Sequence, residues 1–147
     1  MSAEAFLDTN VLIYCFEPGE PAKQRRAREL VEQALWDGAA IISTQVAQEF
    51  LNLATRKFAQ AFTGDDLRAY LDAVLAPLCQ VFPDAALFRL ALEVKDETGY
   101  GFYDSLIVAG ALHAGCTRLY SEDLQDGRAI RGLVIENPFR ASAAGKK

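Results

Sequence analysis

The stretch Phe6-Leu7-Asp8-Thr9-Asn10-Val11-Leu12-Ile13 constrains this chain more than any other. A short apolar run ends in an acid, a hydroxyl and an amide, and an apolar run then resumes. This reads as a first strand with Asp8 at its C-terminal end and a helix opening at Thr9 or Asn10. In open α/β sheets, ligands are handled at the carboxyl ends of the strands. A bare carboxylate beside buried backbone is costly unless something positive lies against it. A hard divalent cation, which prefers carboxylate oxygen and water, is the natural occupant.

The rest of the chain alternates strand and helix. Breakers in Glu17-Pro18-Gly19-Glu20-Pro21 mark a loop, and Ala22 to Asp37 reads as a helix with Ala27, Leu30, Val31, Ala34 and Leu35 inward. Lys23, Arg25, Arg26 and Arg28 load its start with positive charge, where the helix dipole is unfavourable. A solvated face accounts for them more simply than a phosphate-touching patch. Ala39–Ser43 is a second strand, and Gln45 to about Ala59 a helix on Val46, Phe50, Leu53 and Ala54. Glu49 falls on or beside that apolar stripe, an odd place for a glutamate. Thr63 to Asp66 opens a capped helix that runs to Pro77. Cys79–Phe82 is a third strand, followed by a helix from Pro83-Asp84 to Thr98-Gly99. A nearly all-apolar, hence buried, helix runs from Gly101 to Gly115 with Asp104 in its first turn. Thr117–Tyr120 and Leu133–Ile135 complete a sheet of about five strands. The alternation predicts a three-layer α/β/α fold with a central, mostly parallel sheet. One domain is expected over residues 1–139, with a flexible C-terminal tail over 140–147.

Four acids then fall on one edge of the sheet: Asp8, Glu49, Asp104 and Asp123, the last with Glu122 and Asp126 as neighbours and rivals. Singly, each has a plain explanation. Asp8 could cap a helix, Glu49 could pair with Arg56 or Lys57, Asp104 is an acid at a helix start, and Asp123 lies in a polar loop. Together they repel and raise one another's pKa unless protons, basic side chains or metal intervene. The one histidine, His113, lies late on a buried helix and is a core or surface residue. The expected cation is therefore Mg2+ or Mn2+, which would activate a water and stabilise charge on a phosphoryl group. Thr9, Asn10 and Ser121 can hydrogen-bond to the carboxylates and orient them.

Composition sets outer bounds. At 147 residues, 51% apolar and 24% charged, the chain is an ordinary globular domain. Cys15, Cys79 and Cys116 are odd in number and widely spaced, which indicates neither a disulfide framework nor a zinc site but reduced core thiols of a cytoplasmic protein. Glu4 and the lack of a long apolar run give no signal segment or membrane span. The net charge of −5 argues against a protein that coats nucleic acid, but not against a nuclease whose acids bind metal.

Four segments carry a resemblance: Phe6-Leu7-Asp8-Thr9-Asn10-Val11-Leu12-Ile13, Gln48-Glu49-Phe50, Tyr103-Asp104-Ser105-Leu106-Ile107-Val108-Ala109 and Leu119-Tyr120-Ser121-Glu122-Asp123-Leu124. In this order they resemble the motifs of PIN-domain nucleases, and the match from Phe6 to Phe139 is similar to the VapC-type toxins of toxin–antitoxin pairs. The resemblance implies a metal-dependent endoribonuclease in which Asp8, Glu49 and Asp104 carry the metal and Asp123 supplies a fourth carboxylate, directly or through water. It also implies an RNA substrate, a homodimer and a cognate antitoxin that presses a peptide, often with an arginine, into the acidic site. Glu122 and Asp123 stand side by side; the family's usual pattern favours Asp123.

Two other classes compete. A haloacid-dehalogenase-like phosphatase would use Asp8, but it wants an acid where Asn10 stands and a late lysine, and Lys95 lies before the Asp104 segment. A response-regulator receiver lacks the same lysine. A non-catalytic dimeric binding protein would use its acids as caps and offer Trp36, Phe58, Phe62 and Tyr70 to a partner, although core packing is the commoner fate of such residues.

Overall fold

Strand β1 (Ala5–Leu7) is buried along its whole length and lies at the centre of a six-stranded sheet of order β3-β2-β1-β4-β6-β5. The computed structural model describes residues 3–58 and 62–140. Helix α1 (Thr9–Tyr14) follows β1 directly, then α2 (Pro21–Asp37) leads to β2 (Ala40–Ser43). From there α3 (Thr44–Arg56) and α4 (Gly64–Tyr70) precede β3 (Cys79–Val81). Helices α6 (Ala85–Thr98) and α7 (Phe102–His113) pack along each other before β4 (Arg118–Tyr120), β5 (Ala129–Ile130) and β6 (Leu133–Glu136).

β1 pairs in parallel with β2 on one side (Phe6 opposite Ile41) and with β4 on the other (Phe6 opposite Leu119). The chain thus leaves β1 toward one edge of the sheet and later returns to build the other. This reversal opens a crevice beyond the C-terminal end of β1, where parallel sheets bind ligands. Asp8 stands there. The strands read as continuous apolar runs because helices flank the sheet as outer layers, as expected for buried parallel strands. Helix α7 packs on it closely: a Cβ on Gly110 would meet the Phe6 ring at 3.4 Å.

The structure departs from the sequence reading in four places. There are six strands rather than about five, because Ala129–Ile130 pairs antiparallel with β6. The hairpin turns on Arg131-Gly132, both at positive φ (50° and 87°), as a two-residue primed turn requires. The helix leading to Pro77 is not uniform: Leu71–Leu75 winds as a π-helix, with the Ala76 N–H donating to the Leu71 carbonyl, before a short turn α5 (Ala76–Leu78). Pro77 has no N–H for the regular ladder and its ring crowds the carbonyl four residues back, which favours this looser winding.

Of the four basic residues at the start of α2, Arg25 is exposed, as a solvated face predicts, but the other three are held by contacts within the protein. Lys23 Nζ meets Glu122 Oε2 at 2.6 Å, Arg28 Nε donates to the Cys15 carbonyl and Arg26 Nε to that of Pro138. These side chains tie α2 to α1 and to the chain after β6. Lastly, Phe62 and Tyr70 pack with Phe16 and Phe50 rather than facing a partner, while Trp36 is exposed.

All three cysteines are free, with Cys15 and Cys116 buried and their thiols pushed up by burial to about 12 and about 11. Of the tail expected over 140–147, residues 141–147 lie outside the described residues, and so does Ala59 at the expected end of α3. Arg140 is described and pairs with Asp126 at 2.9 Å.

Candidate active site

Asp8 ends β1 and is also the N-cap of α1, its Oδ1 accepting from the Thr9 N–H at 2.7 Å. Its other oxygen accepts from Ser121 Oγ at 2.7 Å and from Asn10 Nδ2 at 3.4 Å. The plain reading of Asp8 as a cap therefore holds, and the cap leaves its second oxygen to Ser121 and Asn10 beside the crevice. Only 7% of the residue is exposed. Burial is the largest influence on its carboxyl, and with repulsion from Asp123 and Glu49 it outweighs the Ser121 and Thr9 hydrogen bonds, raising the pKa from 3.8 to about 6.

The remaining acids come from three other elements. Glu49 projects from the second turn of α3, where Thr9 Oγ1 donates to its Oε1 at 2.5 Å and Gln45 Nε2 to its Oε2 at 3.1 Å. It does not pair with Arg56 or Lys57; Lys57 lies 3.8 Å from Glu17. Asp104 is in the first turn of α7 at the mouth of the crevice. Partial burial, then Asp123, then Glu49 hold its carboxyl above the usual range. Asp123 lies in the loop after β4, where Asn10 Nδ2 donates to it at 3.2 Å.

Asp8, Glu49, Asp104 and Asp123, with Thr9 and Asn10, line one cavity of about 430 Å3. Ser121 is fully buried behind it, donating to Asp8 and accepting from the Asp123 N–H at 3.2 Å. Glu122 does not line the cavity. It turns outward to Lys23 and to the Tyr14 hydroxyl at 2.5 Å, so its charge is already balanced. Asp126 is likewise occupied, accepting from the Asn137 N–H and from Arg140.

Two residues not picked out from the sequence shape the cavity. Gln45 bridges Glu49 to the Tyr103 carbonyl at the start of α7 (3.1 Å), spanning the gap between two acid-bearing helices. Asn52 lines the outer wall. A polar residue one turn before Glu49 is the only trace of Gln45 in the sequence.

Among the described residues, no lysine, arginine or histidine lines this cavity, and Lys95 is exposed elsewhere on α6. Four carboxylates on one wall with no basic partner suit a hard divalent cation. Among the described residues no three of them stand close enough to enclose an ion by themselves. That spacing still fits Mg2+, which binds through one or two carboxylates, keeps several waters and takes further oxygens from a substrate phosphate. Asp8, Glu49, Asp104 and Asp123 are the residues that could hold it.

A family model described as PIN domain matches residues 5–127. Among solved structures, a toxin–antitoxin complex from Klebsiella pneumoniae is similar over 91% of this chain and 97% of that one, at 21% identity and a TM-score of 0.66. VapBC2 from Rickettsia felis, bound to a DNA fragment from its promoter, is similar over 90% and 96%, at 18% identity and a TM-score of 0.60. Mycobacterium tuberculosis VapC20, described as a sarcin–ricin loop cleaving toxin, is similar over 94% of both chains, at 21% identity and a TM-score of 0.53. At these identities the likeness is one of fold. No curated protein matches the chain in sequence.

Proposed function

The chain belongs to the PIN-domain family, and from that premise we propose that it is a divalent-metal-dependent endoribonuclease of the VapC toxin kind. One observation carries the reading: carboxylates from four separate segments line a single cavity that offers them no basic partner among the described residues. In this reading Asp8, Glu49 and Asp104 would hold Mg2+ or Mn2+, one or two of them directly and the rest through its waters, and Asp123 would supply a fourth carboxylate, directly or through water. When bound, the ion would polarise a water for attack and balance charge on the phosphoryl oxygens.

The protein's own part is to orient and to expose. Ser121 and the Thr9 N–H fix the two oxygens of Asp8, Thr9 Oγ1 and Gln45 fix those of Glu49, and Asn10 links Asp8 to Asp123. Such partners hold carboxylates ready for metal and set their basicity. Asp104 and Asp123 lie at the open side, where a polyanionic strand can reach them.

Fold likeness to toxin–antitoxin complexes supports a cognate antitoxin as partner, whose arginine-bearing peptide would complement the acidic cavity; a homodimer is the working form that the family resemblance implies. Among the described residues no helix is long and apolar enough to cross a membrane; cytoplasmic RNA is the substrate that the family resemblance implies. Among the described residues the phosphatase reading has no lysine at the cavity to support it.

Incubation of a structured RNA with the protein and Mg2+ or Mn2+, with and without chelator, tests the proposal. Attack by water rather than by the RNA 2′-hydroxyl predicts chelator-sensitive cleavage to products with 5′-phosphate and 3′-hydroxyl ends. A 2′,3′-cyclic phosphate contradicts the mechanism, and binding without turnover favours the non-catalytic binding protein.

A further inference from the structure

The loop that carries Asp123 is held from outside the cavity by a clamp on its neighbour Glu122. Lys23 Nζ meets Glu122 Oε2 at 2.6 Å, and the Tyr14 hydroxyl donates to Glu122 Oε1 at 2.5 Å. Lys23 Nζ also lies 4.9 Å from the centre of the Tyr14 ring and 6.0 Å from that of Phe139, two rings that meet edge-on at 4.8 Å. A cation set against two aromatic rings and paired with a carboxylate has little freedom to swing. The Lys23 and Glu122 side chains are only 31% and 23% exposed, so water and salt screen the pair less than they would at an open surface.

The clamp reaches the site through one turn of α1. Asn10 and Tyr14 stand four residues apart and so share a face of that helix. Tyr14 takes the Glu122 side chain, while Asn10 takes the loop itself. Asn10 Oδ1 accepts from the Glu122 N–H and Asn10 Nδ2 donates to Asp123 Oδ2, each at 3.2 Å. Without the Lys23 charge, Glu122 would be left with an unbalanced carboxylate one residue from Asp123. A divalent cation in the crevice would then draw it inward. That turn would move the Glu122 N–H, and with it the hold of Asn10 on Asp123.

We propose that Lys23 and Tyr14 are positioning residues of the metal site, which admit Asp123 by keeping Glu122 out. Neither lines the cavity; both act through the loop. This rests on the metal-site reading and extends it to what selects between two adjacent acids.

Calorimetric titration of Mn2+ at pH 7.5 into wild type, Lys23→Met, Lys23→Arg, Tyr14→Phe, Asp123→Asn and the double variant Lys23→Met with Asp123→Asn tests the proposal, with metal-free melting of each as the measure of fold. Lys23→Met keeps the stem and removes the charge, and is expected to weaken binding by about tenfold, the lower end for groups that orient metal-holding residues. Tyr14→Phe deletes a single oxygen and disturbs the fold least; it weakens binding in the same direction. Lys23→Arg, which keeps the charge, restores most of the affinity. Asp123→Asn weakens binding as well, and adding Lys23→Met to it brings no further loss, because the clamp acts through Asp123. A merely structural role would lower affinity equally in both backgrounds, and that result overturns the proposal. So does wild-type affinity in Lys23→Met or in Tyr14→Phe, or wild-type affinity in Asp123→Asn beside a loss in Lys23→Met. If wild type binds no Mn2+, the metal-site reading itself fails, and this proposal with it.

Discussion

Asp8 caps a helix and sits almost out of reach of water, and the second property opposes its charge. In the unfolded chain it titrates near 3.8, and in the fold near 6. Between these values the folded state holds the proton that the unfolded state has released, so stability falls as pH rises through that window. The two-unit gap corresponds to about 3 kcal/mol lost by pH 7 in the metal-free protein. Urea unfolding in chelator from pH 4 to 7.5 should show this decline in wild type and lose it in Asp8→Asn; identical profiles would contradict it. Asp104→Asn keeps the shape of the mouth and removes a charge that Asp123 and Glu49 oppose. Cleavage should fall by at least about a hundredfold, with metal-free melting unchanged or raised; retained cleavage in a clean preparation would remove Asp104 from the site. The acids stand out in the sequence because each is a charge where apolar residues are expected. Gln45 does not, since its role depends on Tyr103, 58 positions away. Nor could local sequence separate Glu122 from Asp123, because Lys23, 99 positions from Glu122, decides which way that side chain turns.

At the scale of elements, legibility followed periodicity. Helices α2, α3, α6 and α7 carry clear apolar stripes or runs and were found near their true ends. β5 escaped because it is two residues long and its turn is Arg131-Gly132, which lacks the usual Asn-Gly or Asp-Gly signal. Two carboxylates on α6, Glu93 and Glu97, hold Arg131 in place, a pairing no local pattern announces. The π-winding before Pro77 leaves no trace in hydrophobic period. The position of α3 matters most to the site, because Glu49 rides on it. Phe50, the next residue, is fully buried among Phe16, Phe62 and Tyr70, with ring centroids 5.8, 6.5 and 5.0 Å away. Phe50→Ala should cost about 3–5 kcal/mol in chemical unfolding. A loss under about 1 kcal/mol would mean that the aromatic cluster closes over the gap and does not anchor α3.

At the scale of the molecule, the sheet order brings the site together. The chain runs from β1 toward β2 and β3, then returns through α7 to β4 on the far side of β1. Residues 8, 49, 104 and 123 thereby reach one crevice from four elements. Strand–helix alternation made the parallel sheet readable and put the four acids at one edge of it, but not the hydrogen bonds that orient them, which depend on contacts between distant segments such as Asn10 with Asp123 and Ser121 with Asp8. A chain of net charge −5 needs a bridging cation if it is to act on a polyanion as proposed, and this crevice is the place proposed for that cation. Calorimetric titration of Mn2+ at pH 7.5 into wild type, Asp8→Asn and Asp104→Asn tests it most directly. The account predicts saturable binding to wild type that weakens at least about tenfold in either variant. Binding of undiminished strength in both variants, or none to wild type, would contradict it.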